Sequence, residues 1–154
     1  MRRFRPIQVL LVEDNVDDVE ITRRALNKTS VTSELLVVRD GKEALDALFQ
    51  GQTDRASGPG LDFVLLDINL PKVNGFEVLR QIRARDELST LPVVMLTSSA
   101  REEDVMRSYQ LGANTFIQKP VVFDQFLETL EVLGRYWFEV ATLPGVSHVE
   151  EVRS

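Results

Sequence analysis

Apolar residues in this chain fall into short, nearly uninterrupted runs: Ile7–Val12, Leu35–Val38, Phe63–Leu66, Val93–Leu96 and Thr115–Ile117. Runs of this length, rich in Val, Ile and Leu and almost free of charge, fit parallel strands buried on both faces. Between them the apolar positions adopt helical spacing. Val19, Thr22 and Leu26 mark a first helix, Leu45, Leu48 and Phe49 a second, Phe76, Leu79 and Ile82 a third, and Val105, Met106 and Tyr109 a fourth. The fifth stripe is the broadest, running through Phe123, Phe126, Leu127, Leu130, Leu133 and Trp137, with Asp124 placed to cap its start. Pro71, Pro92, Gly112 and Pro120 punctuate the joins. Strict alternation of strand and helix predicts an open parallel sheet with helices on both faces and right-handed crossovers. In such sheets ligands bind at the carboxyl ends of the strands.

Two segments fall outside the repeat. Gly51 to Gly60, rich in Gly, Ser, Asp and Pro, reads as a long mobile loop. Beyond Trp137 the chain is expected to continue its last helix briefly, pass Leu143-Pro144-Gly145 and fray toward Ser154. This divides the chain into an extension over 1–6, one domain over 7–137 and a tail over 138–154. A length of 154 residues suffices for one well-formed core, and 44% hydrophobic with 27% charged residues is ordinary for a soluble globular protein.

The net charge of −6 speaks against a non-specific nucleic-acid binder, because such proteins cluster Lys and Arg on phosphates. The basic start Met1-Arg2-Arg3-Phe4-Arg5 is the local exception, but the apolar run behind it meets Glu13 and Asp14 rather than small cleavage-site residues, so it reads as a strand. There is no Cys to form a disulfide or a thiolate metal site, and no apolar stretch long enough for a membrane span. A cytoplasmic location fits this composition without being required by it.

Acidic residues stand where apolar strands end: Glu13 and Asp14 after the first, Asp67 after the third. Neighbouring strand ends would gather these carboxylates. Like charges about 4 Å apart repel by about 4 kcal/mol at an effective dielectric near 20, so such a cluster raises pKa values or recruits a cation. A hard, oxygen-ligated ion such as Mg2+ suits it. The fourth strand ends in Thr97-Ser98-Ser99 and the fifth in Gln118-Lys119-Pro120, which adds a hydroxyl and an ammonium at the same edge. A metal, a nucleophilic carboxylate, a hydroxyl and a lysine together describe a phosphoryl-transfer site.

Val12-Glu13-Asp14-Asn15, Leu65-Leu66-Asp67-Ile68-Asn69-Leu70-Pro71 with Gly75, Val94-Met95-Leu96-Thr97-Ser98, and Gly112-Ala113-Asn114 leading to Lys119-Pro120 stand in family order and spacing. With them the chain resembles the receiver domains of two-component response regulators over about Ile7 to Leu133. The resemblance implies a flavodoxin-like, doubly wound (βα)5 fold with strand order 2-1-3-4-5. It implies Asp67 as phosphoacceptor, Asp14 as direct Mg2+ ligand, Glu13 as ligand through water and Asn69 as ligand through its backbone carbonyl. Thr97, Ser98 and Lys119 would bind the phosphoryl group. Phe116 matches the switch aromatic that moves inward when Thr97 is drawn to the phosphoryl group, remodelling the surface of the fourth helix, fifth strand and fifth helix. Tyr109, Tyr136-Trp137 and Leu143-Pro144 look like the small regulators paired with bacterial phytochrome-type histidine kinases. That likeness implies a sensor histidine kinase as partner and a homodimer through the same surface, with Tyr136, Trp137 and Phe138 exposed.

Blander readings stand beside these. Glu13-Asp14 could simply cap the first helix, Asp17 and Asp18 fit first-turn partners of its dipole, and Phe116 alone would pass for core. His148 reads as a solvated tail residue. Among rival functions, a Mg2+-dependent aspartyl-phosphate phosphatase also uses a strand-end Asp but wants a second acid two residues on, where this chain has Asn69. A phosphorelay intermediate remains open. Gly134 to Ser154 is too short for a DNA-binding domain, so the expected output is a signal carried by a changed surface, not metabolic turnover.

Overall fold

The computed structural model describes residues 5–53, 60–99 and 101–145. Five strands, β1 (Ile7–Val12), β2 (Ser33–Val38), β3 (Phe63–Leu66), β4 (Val93–Thr97) and β5 (Thr115–Gln118), form one parallel sheet in the order β2-β1-β3-β4-β5. Five helices alternate with them: α1 (Val16–Leu26), α2 (Gly41–Thr53), α3 (Gly75–Arg83), α4 (Glu102–Gln110) and α5 (Phe123–Gly134). The expected order and class hold.

Strand residues feed opposite faces in turn, as a pleated sheet covered on both sides requires. Leu10, Val12, Val64, Leu66, Val93 and Met95 pack with Phe76, Leu79 and Ile82 of α3 and Leu48 of α2. Val9, Leu11, Phe63, Leu65 and Val94 pack instead with Val19 and Leu26 of α1 and Leu133 of α5. All four residues of β3 are fully buried. At about 2 kcal/mol for each fully buried large side chain, this central strand fixes the position of whatever follows it.

Helix starts are set by side chains. Asn15 Oδ1 accepts the Asp18 amide at 3.0 Å and Asn74 Oδ1 the Glu77 amide at 3.1 Å, while Asp40 Oδ1 accepts the Glu43 amide at 2.8 Å. Asp124 does not cap α5: it lies within the first turn, after an N-cap at Val122 that makes no side-chain hydrogen bond. Gly112, with φ of 102°, closes α4 in the left-handed region that a Cβ disfavours.

Several expectations need correction. The second helix runs through Thr53, so Gly51 to Thr53 is helical; positions 54–59 of the expected loop lie outside the described residues, as do Met1 to Phe4 and His148. The stripe read on α4 faces outward, with Met106 and Tyr109 exposed and Ser108 buried in their place. Phe138 is fully buried and Trp137 half-buried. Residues Arg135–Val140 continue α5 as a wider π-type turn, which sets Trp137 and Phe138 against Phe63 at 5.3 and 5.4 Å between ring centres. Leu143 is buried in the same cluster, so core packing runs past Trp137. Of the expected aromatic surface, Tyr136 remains exposed.

Candidate functional site

Register brings the strand ends together. Val12 pairs with Leu66, so Glu13 and Asp67 emerge side by side, and the Asp67 amide donates to the Val12 carbonyl at 3.2 Å. Thr97 pairs with Gln118, and the Lys119 amide donates to the Thr97 carbonyl at 2.7 Å. The loop after β3 folds tightly back. A Cβ on Gly75 would stand 2.2 Å from the Asp67 carbonyl oxygen, so glycine alone permits that approach, and its amide donates to the Ile68 carbonyl at 2.8 Å.

Carboxylate oxygens of Glu13, Asp14 and Asp67 lie within 4.8 Å of one another, Glu13 and Asp67 buried and Asp14 exposed. The Lys119 ammonium, itself buried, donates to Glu13 Oε1, to Asp18 Oδ2 at 3.0 Å and to Asp67 Oδ2 at 3.2 Å. Glu13 Oε2 accepts the Asn15 amide at 3.1 Å, and Asp67 Oδ1 the Asn69 amide at 3.2 Å. Thr97 is fully buried, and its hydroxyl oxygen accepts from the Asn69 side-chain amide at 3.5 Å and the Ser99 amide at 3.4 Å.

Burial raises the Glu13 carboxyl above its ordinary value, against the pull of the Lys119 hydrogen bond and charge. Burial also works to lower Lys119, but the Glu13 hydrogen bond and the charges of Asp67 and Glu13 outweigh it, so its pKa is raised and it stays an ammonium. Among the described residues, the four acids Glu13, Asp14, Asp18 and Asp67 gather around one lysine, an excess of negative charge. Buried acids short of cationic partners form a donor set suited to a hard divalent ion.

The sequence-derived candidates Glu13, Asp14, Asp67, Asn69, Thr97 and Lys119 therefore share one edge. Ser98 is exposed beside it. Phe116 is half-buried against the α2–α3 side of the core, and its amide donates to the Tyr109 hydroxyl at 3.1 Å. Asp18 was not anticipated here. It reads as a first-turn acid, yet a helical Cα–Cβ bond tilts toward the amino end, which carries its carboxylate back over the strand edge to Lys119. Glu13 and Asp14 do not cap α1; Asn15 does.

Fold and site together define a response regulator receiver, and the family of response regulator receiver domains matches residues 9–131. The chain belongs to that family. It is similar to the response regulator Rcp1 of Synechocystis sp., 36% identical over 140 residues that cover 91% of this chain and 95% of that protein. Among solved structures, the phosphorylated cyanobacterial phytochrome response regulator RcpA superposes with a TM-score of 0.83 at 39% identity, covering 92% of this chain and all (100%) of that one. The Mn2+-bound form of Rcp1 does so with a TM-score of 0.83 at 35% identity, over 91% and 100%. No helix of the described residues is long and apolar enough to cross a membrane.

Proposed function

We propose that this receiver accepts a phosphoryl group on Asp67 from the phosphohistidine of a sensor histidine kinase, in a Mg2+-dependent reaction in the cytoplasm. The observation that carries this reading is the buried Asp67 carboxylate, gathered with Glu13 and Asp14 and touched by the Lys119 ammonium. Glu13 through a water, Asp14, Asp67 and the Asn69 carbonyl would hold the ion; the Mn2+-bound Rcp1 structure supports a divalent cation in such a protein. Bound there, Mg2+ neutralises part of the carboxylate charge and of the charge on the transferring group. An Asp67 oxygen forms the bond to phosphorus while the histidine P–N bond breaks, its electron pair returning to the ring nitrogen. Lys119, Thr97 and Ser98 bind the phosphoryl oxygens.

The output is a changed surface. Thr97 moves toward the phosphoryl group, and Phe116 turns into the space vacated, gaining burial but, as a phenylalanine, no hydroxyl hydrogen bond. The protein assists its own phosphorylation and slow hydrolysis without being a turnover enzyme. Similarity to RcpA supports a phytochrome-type kinase. A homodimer through α4, β5 and α5 is supported by Val132, Tyr136 and Val140, exposed at successive four-residue steps, the first two lining a groove of about 590 Å³ together with Thr115 and Ile117. Terminal output and relay intermediate share this chemistry.

Intact-mass spectrometry after incubation with acetyl phosphate and Mg2+ tests the reading. Wild type is expected to gain one phosphoryl group, and Asp67→Asn or chelator to abolish it. Equal labelling of Asp67→Asn refutes the acceptor. No adduct on wild type, together with no fluoroberyllate binding, refutes the phosphoryl site. Repeated release of phosphate from a small phosphomonoester would favour a phosphatase instead.

A further inference from the structure

We propose that Asp18 is a positioning residue for Lys119, holding the ammonium beside Asp67 while the other carboxylates are committed to the cation and the phosphoryl group. This rests on the phosphoacceptor reading and adds to it. The three acceptors of the Lys119 ammonium are Glu13, Asp18 and Asp67. Glu13 and Asp67 belong with Asp14 to the carboxylate cluster, and Asp18 stands outside it. When a cation draws on the cluster and an Asp67 oxygen is bonded to phosphorus, Lys119 must share both acids with those ligands, whereas Asp18 contacts neither. Asp18 then keeps the ammonium in place, with an N–H free for a phosphoryl oxygen.

The placement of Asp18 is itself built. Its amide donates to the capping Asn15 side chain at 3.0 Å, and its carbonyl accepts the Thr22 hydroxyl at 2.8 Å. The side chain is 22% exposed, against 7% for Lys119. Asp17, its neighbour on the same turn, is exposed and offers a charge-matched control. A lysine stem has four rotatable carbons and a compact charge, so an ammonium without an anchor samples many positions. The step that feels this is transfer from acetyl phosphate: an Asp67 oxygen bonds to phosphorus, the P–O bond to acetate breaks, and acetate leaves with the electron pair. Charge on the phosphoryl oxygens then needs the lysine at a fixed point.

Asp18→Asn, Asp18→Glu and Asp17→Asn are compared with wild type in the full chain. Three quantities are read: the Mg2+ dissociation constant by calorimetry, the acetyl phosphate labelling rate at saturating Mg2+, and the fluoroberyllate dissociation constant. Asp18→Asn is expected to slow labelling at saturating Mg2+ about tenfold and to weaken fluoroberyllate about tenfold, less than the roughly hundredfold that a 1 Å misplacement can cost because Glu13 and Asp67 still hold the lysine in part. Asp18→Glu should recover part of both, and Asp17→Asn should match wild type. If saturating Mg2+ restores Asp18→Asn to the wild-type rate, Asp18 contributes only negative charge and the proposal is overturned. An equal loss in Asp17→Asn overturns it too. Should Asp18→Asn fail to fold by circular dichroism, Asp18→Glu carries the same comparison: a slowed rate at saturating Mg2+ supports positioning and an unchanged rate overturns it. A wild type that neither labels nor binds fluoroberyllate overturns the acceptor reading itself, a different result from a labelled wild type with an unaffected Asp18→Asn.

Discussion

Asp62 stands immediately before β3 and Asp67 immediately after it, both buried, yet their partners differ in kind. Asp62 receives both arms of the Arg5 guanidinium, at 2.6 and 2.8 Å, and the Gln8 amide at 2.8 Å. One carboxylate meets one cation in bidentate geometry, and its oxygens are satisfied. Asp67 has a third share in one ammonium and lies within 4.8 Å of two other acids. Burial of an acid therefore does not mark function at either end of this strand. The number of cations per carboxylate does, because an unbalanced cluster is an unfavourable arrangement that a ligand can relieve.

Supplying the missing charge should separate the two ends of β3 most strongly. If the carboxyl edge is short of cations, Mg2+ stabilises the folded chain by about 2.7 kcal/mol at about a hundredfold excess over its dissociation constant. Urea denaturation with and without the ion measures this increment. It should survive Asp62→Asn and largely vanish in Asp67→Asn. An equal increment in wild type and Asp67→Asn would place the ion elsewhere and dissolve the contrast.

The two ends of β3 also differ in what the sequence discloses. Glu13-Asp14, Asp67 and Thr97 each adjoin the end of an apolar run and Lys119 stands two residues beyond one, and in a parallel sheet all such ends meet at one edge, so their meeting is legible from pattern while their roles come from the family resemblance. The Arg5–Asp62 pair joins residues 57 apart, one of them in what reads as an extension, and no periodicity announces it. Asp18 was hidden because a first-turn acid already has a sufficient local explanation in the helix dipole. Phe138 and Leu143 fall in what reads as a tail because the apolar stripe of the fifth helix has its last regular member at Trp137. The π-type turn widens that spacing and brings successive aromatics onto Phe63. On α4 the stripe of Val105, Met106 and Tyr109 has helical spacing but faces largely outward, since periodicity fixes a face and not its direction.

Removing each carboxylate in turn gives the next test, with opposite signs. Asp62→Ala removes the acceptor of the Gln8 amide and leaves the Arg5 guanidinium, among the described residues, only the Pro6 and Gly145 carbonyls, at 3.3 and 3.2 Å. The Arg5 side chain is 33% exposed, so water recovers part of the loss, and the cost should be about 1–2 kcal/mol. Asp67→Asn in chelator should instead stabilise by about 2 kcal/mol. At an effective dielectric near 20, its two repulsions at no more than 4.8 Å, each about 3.5 kcal/mol, exceed one attraction at 3.2 Å of about 5 kcal/mol. Urea midpoints with unchanged slopes read both. A destabilised Asp67→Asn would mean that its share of Lys119 already balances its neighbours.

Asp40 supplies the smallest effect and the sharpest control, because it follows β2 at the same carboxyl edge as Asp67 and is also buried. Its partners resemble those of Asp62 more than those of Asp67. The Glu43 amide at 2.8 Å caps α2 on its Oδ1, and the mostly exposed Lys72 ammonium stands 3.6 Å from its Oδ2. The Glu43 amide, with help from Lys72 and the Lys42 amide, holds the Asp40 carboxyl below its ordinary 3.8. A carboxyl depressed in the folded state contributes fully above its unfolded value and loses that contribution as pH falls through the folded one. Asp40→Ala should therefore be modestly less stable than wild type at neutral pH, with the gap narrowing once pH drops below 3.8, and its Mg2+ increment should equal that of wild type. Thermal unfolding across pH reads the first, and the urea series the second. If Asp40→Ala also abolished the increment, membership of the carboxyl edge would govern cation binding. If it does not, an aspartate that is buried at the same edge but supplied with its own donors is inert toward the ion, and the deficit of partners around Asp67 is what makes that position reactive.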